Sequence, residues 1–456
     1  MVIESAEEFS KFFELYKDND VIIIPVLCDA KRHVAANELS FLFIKILNIN
    51  QYFILSFNHN ECVSLPRLYF DELASCNNKK YIFDKKNAMY ILPFPNLIDI
   101  NILYYLKSNT SYDFESISSP LKSHAMIQRV FDEVKNVNRA LPILKYYEKL
   151  VDVSNKLEQI IADTKDLQNE SSFPFLNNDT LECLQKIESG GLFVDNTAAV
   201  GYFPQIKRHI TEKHLVFTEY NIYTATGRPA NRFGNVNFAA LNKDNRERSC
   251  FKSRFGATGQ LVMFDYDAYH LRLIADMVGY EFPQGVNIHE YLGKIYSGKE
   301  ELTQEEYEKS KQLDFELVYG GIDKSVAEAI PFFGKVKAFT DTMWQAAQIL
   351  GYTETLVSKK KIWLSNFNSL NKTKLFNYIL QNYETEQNIL TIKQIQNTIS
   401  NTQIKLILYL YDGFLFDIDA VDMAMLPSLR TIIQREGKFL TKLYIGDDFQ
   451  NLIKIQ

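Results

Sequence analysis

Apolar positions along the chain fall into three rhythms. Near the N-terminus they form short, nearly unbroken runs at Val21–Leu27, Leu39–Leu47 and Tyr52–Phe57, rich in Ile, Val and Phe and closed by polar residues. Such runs predict strands. Helical spacing follows over 66–74 and 98–107, so residues 1–115 read mainly as strands and turns with helices attached. Residues 120–170 then change to a helical period. Ile127, Val130, Phe131, Val134 and Val137 share one face, a second such run extends from Leu144 to Leu167, and polar Gln168–Ser172 ends it. The third rhythm returns to strands. Leu261–Tyr266 is apolar up to Asp265, and Leu406–Leu410 and Phe414–Ile418 flank Tyr411, Asp412 and Gly413. The glycine is expected to permit the tight turn. Between these strands, Thr303 and Glu306 form a T-x-x-E capping box and Gly320–Gly321 supplies a stop. The helix so bounded carries Lys311, Phe315 and Tyr319 at i, i+4 and i+8, on one face.

Length and charge narrow the class. The chain has 456 residues, enough for two to four domains, with 46% hydrophobic and 23% charged residues, as in soluble globular proteins. No run of 18 or more apolar residues exists, so no membrane contact is expected. The acidic N-terminus has no signal-like apolar stretch, and the five cysteines are scattered without metal spacing. A reducing cytoplasm fits best. The net charge of −6 argues mildly against nucleic-acid binding but does not report local patches.

Two strand-borne aspartates, Asp265 and Asp412, with a cationic and aromatic helix between them, suit metal-dependent nucleotidyl transfer. Two Mg²⁺ ions about 3.5–4 Å apart need carboxylates converging from different strands. A triphosphate needs a cation, and an incoming base needs an aromatic platform. Taken alone, each part has an ordinary explanation: a core-facing stripe with a long lysine, or a hairpin with a turn aspartate.

At these residues the chain resembles the family A DNA polymerases. The family's first motif, D-Y-S-Q-I-E-L-R, stands here as Asp265 to Arg272, with His270 in place of Glu. Its second, R-x3-K-x3-F-x3-Y-G, stands as Lys311, Phe315, Tyr319 and Gly320, with Tyr307 in place of Arg and Glu308 after it. Its third, H-D-E, stands as Tyr411-Asp412-Gly413. T-x-T-G-R is intact over 224–228. G-Y-x-x-T stands at Gly351–Thr355, an I-H pair at Ile288–His289, and M-E-x-x-G-x-x-V-D is approximated by Ile187–Asp195. The family N-x3-Q element keeps Asn382, with Glu386 or Gln387 in the other slot. The resemblance covers about residues 180–456.

The resemblance implies an α/β multidomain fold: a right-hand polymerase of palm, fingers and short thumb, preceded by a ribonuclease H-like 3′–5′ exonuclease-like domain. The expected division is 1–118 exonuclease-like, 119–200 thumb, 201–285 palm, 286–400 fingers and second palm helix, and 401–456 palm. The first-strand D-x-E of that exonuclease is missing; only Asp29 is present, followed by Ala30 and Lys31, and a lysine repels the metal it would have to bind. About thirty residues separate Asp195 from Thr224, too few for a bacterial-type thumb tip, which makes a processivity factor or other replisome protein an expected partner. The implied activity is DNA-templated extension of a primer with dNTPs, without proofreading, by a monomer of compact, phage-like type in the cytoplasm (of a bacterial host, if phage-encoded). Asp265 and Asp412, helped by the Tyr266 carbonyl, would hold two Mg²⁺ ions. Lys311 would bind phosphate, and Phe315 and Tyr319 would line the nucleotide pocket with His270 as the sugar gate. His289 and Lys243 would reach the triphosphate, while Arg228, Thr226 and Asn382 would meet primer-template DNA. Two alternatives stay open: a relative of single-subunit RNA polymerases, which share the Asp, Lys and Tyr-Gly pattern, and a catalytically silent DNA-binding scaffold.

Overall fold

The computed structural model describes residues 1–29, 32–111, 142–234 and 236–455. The chain folds into two units. The first comprises residues 1–189, 208–219 and 233–236; the second comprises 190–207, 220–232 and 237–456.

The first unit is built on one six-stranded sheet. Its strands are β1 (Val2–Ile3), β2 (Val21–Leu27), β3 (Leu39–Ile46), β4 (Gln51–Ser56), β5 (Lys80–Ile82) and β6 (Leu97–Asp99), in the order β1-β4-β3-β2-β5-β6. β2, β3 and β4 pair antiparallel, while β5 and β6 run parallel to β2. Both faces are covered, which is why the strands read as continuous apolar runs rather than alternating ones. On one face Val21, Ile23, Leu42 and Ile44 pack against Phe9, Phe12 and Tyr16 of α1 (Ala6–Asp18) and Phe70 and Leu73 of α2 (Arg67–Ser75). Pro25 is tolerated inside β2 because β5 pairs only with Val21 and Ile22, so no ladder partner waits for the missing N–H.

The opposite face meets the long helix α5. After α3 (Lys85–Ala88) and α4 (Ile100–Ser108), α5 spans Ile143–Thr164. Phe43 and Tyr147 have their rings 6.1 Å apart. Lys45, 1% exposed, reaches Asn155 at 2.6 Å and is neutralised by Glu158. The run expected at the thumb base therefore buries its apolar face on this sheet. The helix expected around Ile127–Val137, like Ala30 and Lys31, lies outside the described residues.

The first unit adds elements that the reading as strands and turns omits: the short strands β1, β5 and β6 and the helices α1 and α3. α1 opens with a capping box in which the Ser5 side chain takes the Glu8 N–H and Glu8 takes the Ser5 N–H.

The second unit centres on a five-stranded antiparallel sheet. Its strands are β7 (Gly259–Tyr266), β10 (Lys405–Tyr409), β11 (Gly413–Asp419), β12 (Thr441–Gly446) and β13 (Ile453–Ile455), in the order β10-β11-β7-β12-β13. A separate hairpin pairs β8 (Tyr352–Glu354) with β9 (Lys361–Trp363). The helices used below are α6 (Tyr269–Val278), α7 (Ile288–Ser297), α8 (Gln304–Gly320), α9 (Pro331–Leu350), α10 (Lys372–Thr398) and α11 (Leu426–Gln434). α8 starts at the expected capping box and ends before Gly321. Among the described residues no helix is long and apolar enough to cross a membrane, and the five cysteines are free thiols.

Asp99 caps α4 and is fully buried; its carboxylate accepts the N–H groups of Lys85 at 2.7 Å and Ile102 at 3.0 Å. Burial, with Asp84 nearby, pushes its pKa up to about 7. The folded state therefore holds this proton longer than the unfolded chain, and stability is lost as pH rises from about 4 to about 7. The difference in unfolding free energy between wild type and Asp99→Asn should decline across that window by up to about 1.4 kcal/mol per pH unit, then level off. Urea unfolding at several pH values measures it, and a constant difference from pH 4 to 8 would contradict the assignment.

Candidate active site

Antiparallel pairing brings the two predicted aspartates together. In register, Asp265 of β7 faces Gly413 of β11, and the Tyr266 N–H donates to the Asp412 carbonyl at 2.8 Å. On its other side Asp265 faces Lys442 of β12. The pKa of Asp265 rises to about 6, first because the group is buried and next because Asp412 lies close; Lys442 and Lys243 oppose the rise. Burial and Glu384 likewise raise Asp412. Two like charges held together in a part-buried place are a poor arrangement without a cation and a good one with it. Asp267 does not join them, because it pairs with Lys442 at 2.7 Å and with Arg272 at 3.5 Å. Among the described residues no group of three or more His, Cys, Asp or Glu is placed to hold a metal.

The backbone around Asp412 differs from expectation at one point. Gly413 is not in the left-handed region; Tyr411 is, at φ 66°. The strained residue is held from two sides. The Arg228 guanidinium lies 3.9 Å over the Tyr411 ring, and Asn388 donates to its carbonyl at 2.7 Å. Glycine is needed at 413 for space instead. A Cβ there would come within 3.1 Å of the Met263 methyl and 3.2 Å of the Phe264 carbonyl. Tyr266 points its side chain away from the carboxylates, stacking on Tyr269 at 4.0 Å and donating to the Ile433 carbonyl, so only its backbone faces the site.

α8 presents the predicted face. Lys311 is exposed, Phe315 is 37% exposed, and Phe315 and Tyr319 stack at 6.1 Å. The side of the helix flanking this face is anchored by fully buried Asp314, which accepts from His289 at 2.6 Å and from Tyr296. His289 is therefore buried with Nδ1 committed to Asp314; its ring centre stands 5.8 Å from that of Phe315. Tyr307, in the slot of the motif's Arg, accepts from Asn287. Lys243 is an exposed loop residue whose charge reaches Asp265. The segment Thr224–Arg228 forms a tight turn: Gly227 has φ +69°, and a Cβ on it would strike the Asn382 side chain at 2.1 Å. Thr226 accepts from the Arg228 N–H at 3.4 Å.

α10 holds the residue that sequence reasoning missed. Neither Glu386 nor Gln387 faces the aspartates. Glu386 clasps the hairpin connection through Thr355 at 2.6 Å and the Val357 N–H at 3.0 Å, and Gln387 accepts from Arg435. Glu384 stands there instead, 0% exposed, with His270 Nε2 at 3.0 Å and Arg228 Nε at 3.0 Å. Its one signal in the sequence is its place in a long helix with acids and amides but no clear apolar stripe. His270 also meets the Tyr319 hydroxyl through Nδ1.

With this geometry in place, the family model of "DNA polymerase family A" matches residues 195–443, more than half of the chain. The chain belongs to DNA polymerase family A. The match contains Asp265, Lys311 and Asp412 and leaves out most of the first unit. DNA polymerase I of Aquifex aeolicus (strain VF5) is 29% identical over 154 residues, 32% of this chain. The match spans only 25% of that relative. The solved POL domain of Pol1 from M. smegmatis, in complex with DNA primer-template and dNTP, aligns with a TM-score of 0.69. It covers 98% of this chain and 99% of its own, at 14% identity, and so speaks to fold alone.

If Asp412 raises Asp265 as the geometry requires, Asp412→Asn should lower the Asp265 pKa from about 6 toward the ordinary carboxylate range. Carboxyl ¹³C NMR on metal-free protein reads this directly. An unchanged Asp265 titration would mean that the two groups do not share a site.

Proposed function

We propose that this family A chain is a DNA-templated DNA polymerase that extends a primer 3′ end with dNTPs. The observation that carries the reading is the pair Asp265 and Asp412, brought side by side by the β7–β11 register with raised pKa values, beside a helix face of Lys311, Phe315 and Tyr319. The donor set fits divalent cations of the Mg²⁺ type: oxygen ligands only, one on β7 and one in the turn that leads into its neighbour β11, with the Tyr266 carbonyl available beside them. Asp265 and Asp412 would hold two Mg²⁺ ions, whose positive charge would acidify the primer hydroxyl and offset charge on the leaving pyrophosphate.

The protein's own groups do the rest. Lys311 binds the triphosphate and is a proton donor to the leaving group. Lys243 adds positive charge near Asp265, in a site without the family's motif Arg. Phe315 and Tyr319 give the base and sugar a flat wall. His270 stands beside Tyr319 where a 2′-hydroxyl would have to fit. His289, tied to Asp314, orients the wall from behind and has its remaining ring nitrogen for phosphate. Arg228 reaches the minor groove at the primer terminus, where acceptors are common to all correct pairs. Thr226 and Asn382 shape the turn that presents it.

The first unit is read as an exonuclease-like domain without activity. Three antiparallel strands continued by two parallel ones beside the first support that reading. So does the side chain of Asp29, which pairs with Arg32 at 3.5 Å rather than with a second acid. A shortened thumb within residues 119–200 and reliance on a processivity partner belong to the same proposal.

Asp265→Ala and Asp412→Ala should each abolish primer extension, a loss worth several kcal/mol in the transition state, while primer-template affinity stays within a few-fold. Near-wild-type extension by either variant with Mg²⁺ would refute the metal assignment. Pure protein should leave a 3′-labelled single-stranded oligonucleotide intact. Metal-dependent shortening that survives Asp265→Ala would show an active nuclease in the first unit.

A further inference from the structure

Glu384 joins four segments of the second unit through one carboxylate. It is fully buried in the middle of α10. Arg228, from the tight turn, forms an ion pair with it: Nη2 donates to Oε1 at 3.3 Å, and Nε lies 3.0 Å from Oε2. His270, from α6, brings Nε2 to 3.0 Å of Oε1. On its other side His270 Nδ1 meets the hydroxyl of Tyr319 on α8. Arg228 in turn covers the Tyr411 ring, one residue from Asp412.

The hydrogen positions follow from what each group can do. An ionised carboxylate only accepts, so His270 Nε2 carries the proton and donates to Glu384. In the neutral imidazole Nδ1 is then an acceptor, and the Tyr319 hydroxyl must donate to it. The tyrosine hydrogen is thereby turned toward His270. Without the carboxylate nothing else in this set selects between the two tautomers, and the Tyr319 hydroxyl loses its fixed direction.

We propose that Glu384 is the positioning residue of the nucleotide pocket: it fixes the His270 tautomer, sets the Tyr319 hydroxyl at the sugar, and links that setting to Arg228. The inference rests on the polymerase reading above. It makes Arg228, Glu384, His270 and Tyr319 one unit, so that a primer end that displaces Arg228 loosens the sugar wall. A carboxylate placed at 270 instead would stand against Glu384, whereas an amide at 384 would remove the conflict by donating to it.

The test is single-turnover incorporation of dATP and of ATP opposite template thymine. It compares wild type, Glu384→Gln, His270→Glu and the double variant His270→Glu/Glu384→Gln. Wild type should prefer dATP. Glu384→Gln should cut that preference at least about tenfold, with primer-template affinity changed much less, as expected for losing a charge-assisted hydrogen bond. His270→Glu alone should do worse, and the double variant should recover preference above both single variants. An undiminished preference in Glu384→Gln, or a double variant equal to the product of the singles, would overturn the proposal. The ¹⁵N shifts of His270 in wild type give a readout that needs neither activity nor a folded variant. The Nε2–H tautomer is expected, and Nδ1–H would refute it. Failure of wild type to incorporate dATP at all would count against the polymerase reading, and the tautomer measurement would still decide this one.

Discussion

The second unit is organised around a repulsion. Asp265 and Asp412 are brought side by side because β7 and β11 pair antiparallel in a register that leaves no freedom: a slip of one residue would turn Asp265 to the other face of the sheet. Desolvation and neighbouring carboxylates, Asp412 beside Asp265 and Glu384 beside Asp412, raise both pKa values. Such a pair costs stability by itself, and the surrounding residues moderate it without cancelling it. Lys442 is shared with Asp267, Lys243 acts from an exposed loop, and Arg228 is divided between Glu384 and the Tyr411 ring. The residual negative potential is the feature that makes the place suited to divalent cations.

Much of this was legible in the sequence. The strands β2, β3, β4, β7, β10 and β11 announced themselves as apolar runs, and α8 through its capping box and glycine stop, which are local signals, whereas the short β1, β5, β6 and β13 and the mostly half-buried β12 did not. Asp265, Asp412 and the α8 face were readable because motif spacing reports strand and helix periodicity. What was not legible depended on tertiary contact. The turn at 411–413 was expected to need a glycine for its torsion. Instead Tyr411 takes the left-handed conformation, since Arg228 and Asn388 hold it, and Gly413 serves close packing. His289 read as a phosphate-facing histidine, and its tie through Nδ1 to Asp314, an interior residue of α8, is a contact that no local signal reports. α1 carried its S-x-x-E signal openly, yet the reading of this region as strands and turns passed over it.

α10 is the clearest case of function hidden from sequence. Asn382, Glu384, Thr385, Glu386 and Asn388 are all buried, so a stretch that resembles a solvated helix is an internal polar spine. Each of its contacts goes somewhere different: Glu386 to the hairpin connection, Asn388 to Tyr269, Tyr409 and the Tyr411 carbonyl, and Glu384 to His270 and Arg228. Buried polar groups that hydrogen-bond to several segments hold those segments in one arrangement. The spine thus carries the geometry of the turn bearing Asp412 to the helix bearing Tyr319.

The central claim is that Asp265 and Asp412 form a cation site beside the face of α8. It is tested most directly by a crystal structure of the protein with primer-template DNA, a non-hydrolysable dNTP and Mn²⁺, read by anomalous scattering. The account predicts metal peaks between the two carboxylates, with the triphosphate against Lys311 and the sugar against His270 and Tyr319. Anomalous peaks elsewhere, with the two carboxylates free of metal while nucleotide is bound, would contradict it.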